Sequence, residues 1–309
     1  MRRKQSLIPV GNVALDVLVV ADPDDMHCAV VCEELSLGEA NAVRFNLADL
    51  RATPLVAEPN WLQLQVDEQS YWVSQETSVW WRRAGVVETG DLCDDETQLA
   101  FDEGPHLLIG SLAAAGVRFV DDSFTVARAE TKQFQLAVAR RSGIATPATR
   151  VTNDPAAARS FASGRKLIAK AVSPGVGIAP FVTEVRESEL DAVTTLPTML
   201  QEFVPAAADL RVVVVADDSW IWRRPREAGT IDWRQADPEG SAFRPITYEE
   251  LAVAARKVTA ALGLSISVQD WLETDNGPVF LESNALGAWL FLGQSRELVA
   301  PAIAGHLKG

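Results

Sequence analysis

Apolar residues in this chain fall into short runs of period two that alternate with stretches of helical spacing, which predicts a mixed α/β and α+β protein. The apolar run at 13–21 predicts a buried strand. Residues 24–37 read as a helix opened by acidic residues at its positive dipole end and stopped by Gly38, and 42–46 as a second strand. Alternating runs at 61–66, 71–73 and 78–83 predict further strands. A helical stretch at 94–116 is interrupted near Gly104-Pro105; 117–120 is a strand and 121–126 a loop. A helix over 129–142 is closed by Gly143, with Pro147 beyond it.

The second half continues the alternation. A strand at 149–152 leads to Asn153-Asp154-Pro155, a cap with proline at the first helical position, and a helix to 163. Strands follow at 166–170, 198–204, 211–215 and 220–224, the last two joined by the charged turn Asp217-Asp218. Thr247 caps an amphipathic helix over 248–262 closed by Gly263, and 295–306 forms a terminal helix. Between them, 265–290 holds two β-prone runs around Asp275-Asn276-Gly277, a hairpin signal. A three-residue loop with Gly277 in the left-handed position sets Leu272 opposite Phe280, Asp270 opposite Glu282 and Val268 opposite Asn284. Opposed carboxylates ~5 Å apart repel, and two carboxylates with an amide oxygen among apolar neighbours suit an oxygen-ligated cation, Mg²⁺ above all. An ordinary hairpin with a solvated acidic face fits these residues equally well, because a two-residue turn would put Asp270 and Glu282 on opposite faces.

At 309 residues the chain can hold two or three small domains, and 48% hydrophobic with 23% charged residues marks an ordinary globular composition. A net charge of −14 argues against nucleic acid as the main partner and leaves room for a basic or neutral peptide. Three cysteines, Cys28, Cys32 and Cys93, are too few for a disulfide framework; buried reduced thiols and a reducing cytoplasm are expected. The basic start at Met1-Arg2-Arg3-Lys4 is followed by an apolar run broken by Asp16 and by no small-residue cleavage site, so a first strand is expected rather than an export signal. No stretch of about 18 uncharged apolar residues predicts a membrane span.

Lys170 ends a predicted strand and leads into a loop containing Ser173, Gly175 and Gly177, where glycines let backbone N–H groups approach an anion and the ammonium supplies a point charge. Gly-Val-Gly also occurs in plain turns, and the loop matches neither the Walker lysine motif nor the dinucleotide fingerprint. The run Val79-Trp80-Trp81-Arg82-Arg83 reads first as a strand with arginine stacked on tryptophan. His27, His106 and His306 are scattered, and none is assigned catalytic work.

The pattern Gln269-Asp270-Trp271 followed by Val279-Phe280-Leu281-Glu282-Ser283-Asn284 and Gly287-Ala288-Trp289 resembles the metal-binding end of ATP-grasp ligases. Ala285 replaces a common proline and Ala288 a more usual glutamine, neither of them a metal ligand. The resemblance covers nearly the whole chain. It implies an ATP-grasp fold with a small N-terminal α/β (pre-ATP-grasp) domain at 1–128, a central subdomain at 129–205 and a C-terminal subdomain with the metal site at 206–309. It further implies Mg²⁺ on Asp270, Glu282 and Asn284, and Lys132 and Lys170 as the two nucleotide lysines. Ser173, Gly175 and Gly177 would form the phosphate lid. Gln201, Glu202, Phe203 and Val204 would make the adenine hinge, and Asp209 would bind the ribose. Arg211 and Arg234, the latter within Asp232-Trp233-Arg234, are candidates for steadying an acyl-phosphate, since the guanidinium fork binds such groups bidentately.

Within that family the tryptophan-rich strand ending in two arginines and the Asp-Trp-Arg motif resemble the ribosomal-peptide maturases of graspetide and microviridin biosynthesis. The expectation is therefore a ligase that uses ATP and Mg²⁺ to crosslink Asp or Glu side chains of a precursor peptide to Ser, Thr or Lys. Leader-peptide recognition is expected with it, and a homodimer is left open. The alternatives are a ligase joining an amino acid or small peptide to another substrate, and a nucleotide-binding protein that recognises a peptide without catalysis. The intact ligand set speaks against the last.

Overall fold

The computed structural model describes residues 8–9, 11–172, 182–227 and 229–309, and the chain forms two compact units. The first runs to Ser123 and takes in Arg296–Gly309; the second is Phe124–Ser295. The terminal segment, expected with the C-terminal subdomain, thus belongs to the first unit.

The first unit contains eight strands among the described residues: β1 (Asn12–Ala14), β2 (Val17–Val20), β3 (Ala42–Phe45), β4 (Leu55–Glu58), β5 (Trp61–Val66), β6 (Gln69–Val73), β7 (Ser78–Trp81) and β8 (Arg118–Phe119). They make a parallel sheet in the order β3-β2-β7-β8 and a mixed sheet in the order β1-β6-β5-β4. The single strand expected at 13–21 is therefore two strands in different sheets. The switch falls at Leu15-Asp16, where Leu15 N–H bonds to Trp72 O at 3.0 Å and the Asp16 carboxylate accepts Asn41 N–H at 2.8 Å. Helix α1 (Met26–Leu37) starts at Asp25, whose carboxylate accepts the amides of His27 and Cys28. On β7 and just beyond it, the Arg82 guanidinium lies 5.4 Å from the Trp80 ring and 2.9 Å from Asp25, the packed-strand arrangement expected for this run.

Helix α2 (Asp94–Ala114) runs unbroken through Gly104-Pro105, contrary to the expected interruption. Gly104 is there for packing: a Cβ on it would come within 2.6 Å of Val87 Cγ2. Leu108 and Leu112 of α2 join Leu18, Val20, Leu62 and Leu64 in this unit's core.

In the second unit, α3 (Ser123–Ala129) and α4 (Lys132–Arg141) replace the one helix expected at 129–142, and much of the expected loop is helical. Next come β9 (Thr149–Thr152), α5 (Pro155–Ala162), β10 (Leu167–Lys170), β11 (Thr183–Val185) and β12 (Thr198–Glu202). The four strands form an antiparallel sheet in the order β11-β10-β12-β9. Leu167 and Leu200 pack on Ala158 and Phe161 of α5. Strand alternation turns Ile168, Lys170, Met199 and Gln201 to the other face.

Then follow β13 (Ala208–Val215), β14 (Asp218–Pro225), α6 (Trp233–Ala236), β15 (Arg244–Ile246), α7 (Glu249–Leu262), β16 (Ile266–Thr274) and β17 (Gly277–Asn284). These strands form an antiparallel sheet in the order β15-β14-β13-β16-β17. One face, with Leu210, Val212, Val214 and Trp271, is buried against the apolar stripe of α7 at Leu251, Ala255, Val258 and Leu262. That burial fixes which side chains point to the opposite, polar face. Helix α8 (Ser295–Lys308) ends the chain.

Candidate active site

Strands β16 and β17 pair Val268 with Asn284 and Asp270 with Glu282, so the two acids and the amide share one face. The route to that register differs from the expectation. Thr274 pairs with Gly277 across a two-residue turn, and Leu272 pairs with Val279 rather than Phe280. A β-bulge follows: Trp271 opposes Phe280 while Asp270 opposes Glu282, leaving Leu281 as the extra residue. The turn alone would have set the acids on opposite faces, and the bulge restores them to one. Beyond β17 the chain doubles back closely; a Cβ on Gly287 would lie 2.6 Å from Val268 Cβ.

Strand β13 extends this row, because Arg211 is the register partner of Asp270. Its guanidinium donates from Nη1 to Asp270 Oδ1 at 2.6 Å and from Nη2 to Ala288 O at 2.8 Å, with the Phe291 ring 5.6 Å away. At the other end of the row, Lys132 Nζ, on the first residue of α4, lies 3.0 Å from Glu282 Oε2. Burial pushes the Glu282 carboxyl up, but Lys132, Lys170 and Arg211 outweigh it and hold the group down at about 2. Asp270 moves the opposite way, raised by burial and by the Glu282 charge despite Arg211. Burial and Lys132 lower the Lys170 ammonium, against the charges of Glu282, Asp270 and Asp232. Lysines 132 and 170 and both acids are thus within electrostatic reach of one another. Arg234 senses Glu282 and Asp270 too, and is itself bound to Asp232 at 2.5 Å.

Gln201 is fully buried on β12; its Nε2 donates to Thr149 Oγ1 at 3.0 Å, and its Oε1 has no hydrogen-bond partner among the described residues. A buried, unpaired acceptor costs roughly 1–3 kcal/mol. Glu202 ends β12, while Phe203 and Val204 lie just past the strand, half-buried. Phe203 carries the Lys166 ammonium 4.8 Å from its ring centre, and its N–H is taken by Lys166 O. Asp209 is buried, with Oδ2 3.3 Å from Arg224 and Oδ1 3.2 Å from Arg226. Each oxygen thus pairs with one arginine at or just beyond the end of β14, tying β13 to it. Ser173, Gly175 and Gly177 lie outside the described residues.

Two contributors are not apparent in the sequence. The Glu130 carboxylate accepts the backbone N–H of Ala285 at 2.6 Å, and Gln135 exchanges two hydrogen bonds with the backbone of Ser283. Burial raises the Glu130 carboxyl, opposed by the Ala285 and Leu286 amides. The break between α3 and α4 frees Glu130 to do this, and Thr131, a residue type favoured at N-caps, is its one sequence signal.

Among the described residues no group of three or more His, Cys, Asp or Glu could hold a metal. The donor set at hand is two carboxylates and one amide oxygen, all hard, on one face of one sheet. It fits an ion such as Mg²⁺ that takes one or two protein carboxylates and completes its shell with phosphate and water oxygens.

The family model for the RimK-like ATP-grasp domain matches residues 128–289, just over half of the chain. A probable alpha-L-glutamate ligase 2 of Shewanella frigidimarina is 31% identical over 182 residues, 55% of this chain and 60% of that protein. The chain thus spans about 60% of the length of the curated relatives it matches. Among solved structures, a RiPP-associated ATP-grasp ligase of Chryseobacterium gregarium, in complex with ADP and a leader and core peptide, has a TM-score of 0.83 at 21% identity. That match covers 95% of each chain. The macrocyclase MdnB of Microcystis aeruginosa has a TM-score of 0.75 at 26% identity, covering 96% of this chain and 99% of its own. With its fold, its opposed acids and its family match in agreement, the chain belongs to the RimK-like ATP-grasp family.

Proposed function

We propose that the chain is an ATP-dependent carboxylate ligase that activates Asp or Glu side chains of a ribosomal precursor peptide and crosslinks them to Ser, Thr or Lys. The observation that carries this reading is the row Arg211, Asp270, Glu282 across three strands, flanked by Lys132 and Lys170. Two opposed half-buried acids ringed by cations suit a metal–triphosphate and a carboxylate that is to be phosphorylated.

Lys132 and Lys170 would bind phosphate oxygens, and the hinge from Gln201 to Val204 would hold the adenine. Asp270, Glu282 and Asn284 would hold Mg²⁺, which when bound neutralises phosphate charge. Arg211 and Arg234 would orient the substrate carboxylate against the γ-phosphate. The carboxylate oxygen attacks phosphorus and ADP leaves, giving an acyl-phosphate. A hydroxyl or amine then attacks the acyl carbon and phosphate departs, so the product is an ester or amide and each crosslink removes one water. Rate enhancement comes from positioning and fixed charge, with no nucleophilic side chain.

Peptide as substrate is supported by relatives of the same fold that carry RiPP ligase and macrocyclase names. The second reading, addition of a free amino acid such as glutamate to another substrate, is favoured by the names of the sequence relatives. The test is mass spectrometry of an acidic, Ser/Thr/Lys-rich peptide encoded beside the gene, incubated with the chain, ATP and Mg²⁺. One water lost per crosslink with matching ADP release supports the maturase. Unchanged peptide mass with ADP release on free glutamate supports the second reading. No ADP with either class of carboxylate sinks both.

A further inference from the structure

Strand β17 is the last strand of its sheet, and its outer edge has no strand partner among the described residues. The segment between Glu130 and Ala145 takes its place. Phe280 N–H bonds to Ala145 O at 2.9 Å. Ser283 N–H bonds to Gln135 Oε1 at 3.0 Å, and Gln135 Nε2 returns a bond to Ser283 O at 2.5 Å and another to Ala129 O at 2.6 Å. Ala285 N–H bonds to Glu130 Oε1 at 2.6 Å. Gln135 is only 1% exposed, and its amide presents the donor and acceptor that a neighbouring strand would present.

These contacts report the register. In a regular strand, backbone groups point outward at every second residue, so an edge facing out at Phe280 would face out again at 282 and 284. Here the outward groups are those of Ser283 and Ala285, because the bulge at Leu281 reverses the parity. Gln135 and Glu130 can therefore bond only to the bulged register, the one that sets Glu282 opposite Asp270.

We propose that Gln135, assisted by Glu130, is a positioning residue that selects the bulged register of β17 and so assembles the divalent-cation site. The proposal rests on the reading that Asp270, Glu282 and Asn284 hold that cation.

The test is a Mg²⁺ titration of ADP binding on the full chain, with an EDTA arm for metal-free nucleotide. Gln135→Met and Glu130→Ala should each shift the Mg²⁺ midpoint upward at least tenfold while metal-free ADP binding stays within twofold of wild type; Glu130→Gln, which keeps an acceptor, should stay within threefold. Wild-type midpoints in folded Gln135→Met and Glu130→Ala, or an equal loss of metal-free binding, overturn the proposal. Asp270→Asn in the same titration separates the two layers: if it too keeps the wild-type midpoint, the cation site is misassigned. Amide exchange in the wild-type chain decides the matter even if a variant fails to fold. The Ser283 and Ala285 amides should be strongly protected without Mg²⁺, and fast exchange at both overturns the clip.

Discussion

Arg211 joins Asp270 to the segment that follows β17. Its fork divides between Asp270 and the Ala288 carbonyl while its Nε is buried without a partner among the described residues, a geometry that a point-charged ammonium cannot reproduce. Arg211→Lys should therefore lower kcat by about 10²-fold, in the range seen when a preorganised charge donor is removed, with ADP release as the assay and circular dichroism unchanged. Lys170→Ala should act on affinity instead. Losing one charged hydrogen bond of about 1.5–3 kcal/mol corresponds to a rise of roughly tenfold or more in the ATP dissociation constant, read by calorimetry. Lys170 was legible in the sequence because a charge stands out at the end of an apolar strand, Asp270 and Glu282 because the hairpin pattern sets them opposite one another, and Lys132 only through the family resemblance. Glu130 and Gln135 were not, since their partners are backbone groups about 150 residues away in the chain, and backbone groups leave no mark in a sequence.

At the scale of elements, turn chemistry and apolar pattern located the β16–β17 hairpin, but the register came from two local features that offset each other. The Asp-Asn-Gly signal is compatible with both a two-residue and a three-residue closure, and only the bulge at Leu281 brings Glu282 back to the face of Asp270. Helix α2 shows the same limit. Gly104-Pro105 reads as a breaker by propensity, yet the helix continues through it, and the glycine is explained by the close approach of Val87. Gly104→Ala weighs a propensity gain of roughly 1 kcal/mol against overpacking of about 1–3 kcal/mol. With Val87 Cγ2 2.6 Å from the added Cβ, the overpacking should win. Urea unfolding should show a lower midpoint with an unchanged slope.

For the molecule as a whole, stability and activity draw on different charged groups. Asp25, paired with the buried Arg82, belongs to the first unit and takes no part in the acid row. Burial alone would raise its carboxyl, but His27 and Arg82 hold it well below the ordinary value of 3.8. A depressed carboxyl stabilises the fold above its unfolded pKa, and the contribution is lost as pH falls through the folded one. Asp25→Asn should thus cost roughly 3–5 kcal/mol at pH 7, the range for breaking a buried pair, and the difference from wild type should shrink below about pH 4, as measured by denaturant unfolding at both pH values. Among the described residues no helix is long and apolar enough to cross a membrane. By itself the sequence determined the alternation of strands and helices, the family resemblance and the charged residues of the site, because periodicity and charge are local properties written residue by residue. Only the tertiary structure decided the split of the first apolar run between two sheets, the passage of the last helix to the first unit, and the bulged, side-chain-clipped edge that sets one acid against the other. Those features depend on which backbone groups find partners far along the chain, and the hydrogen bonds that satisfy them form only once the sheet is assembled.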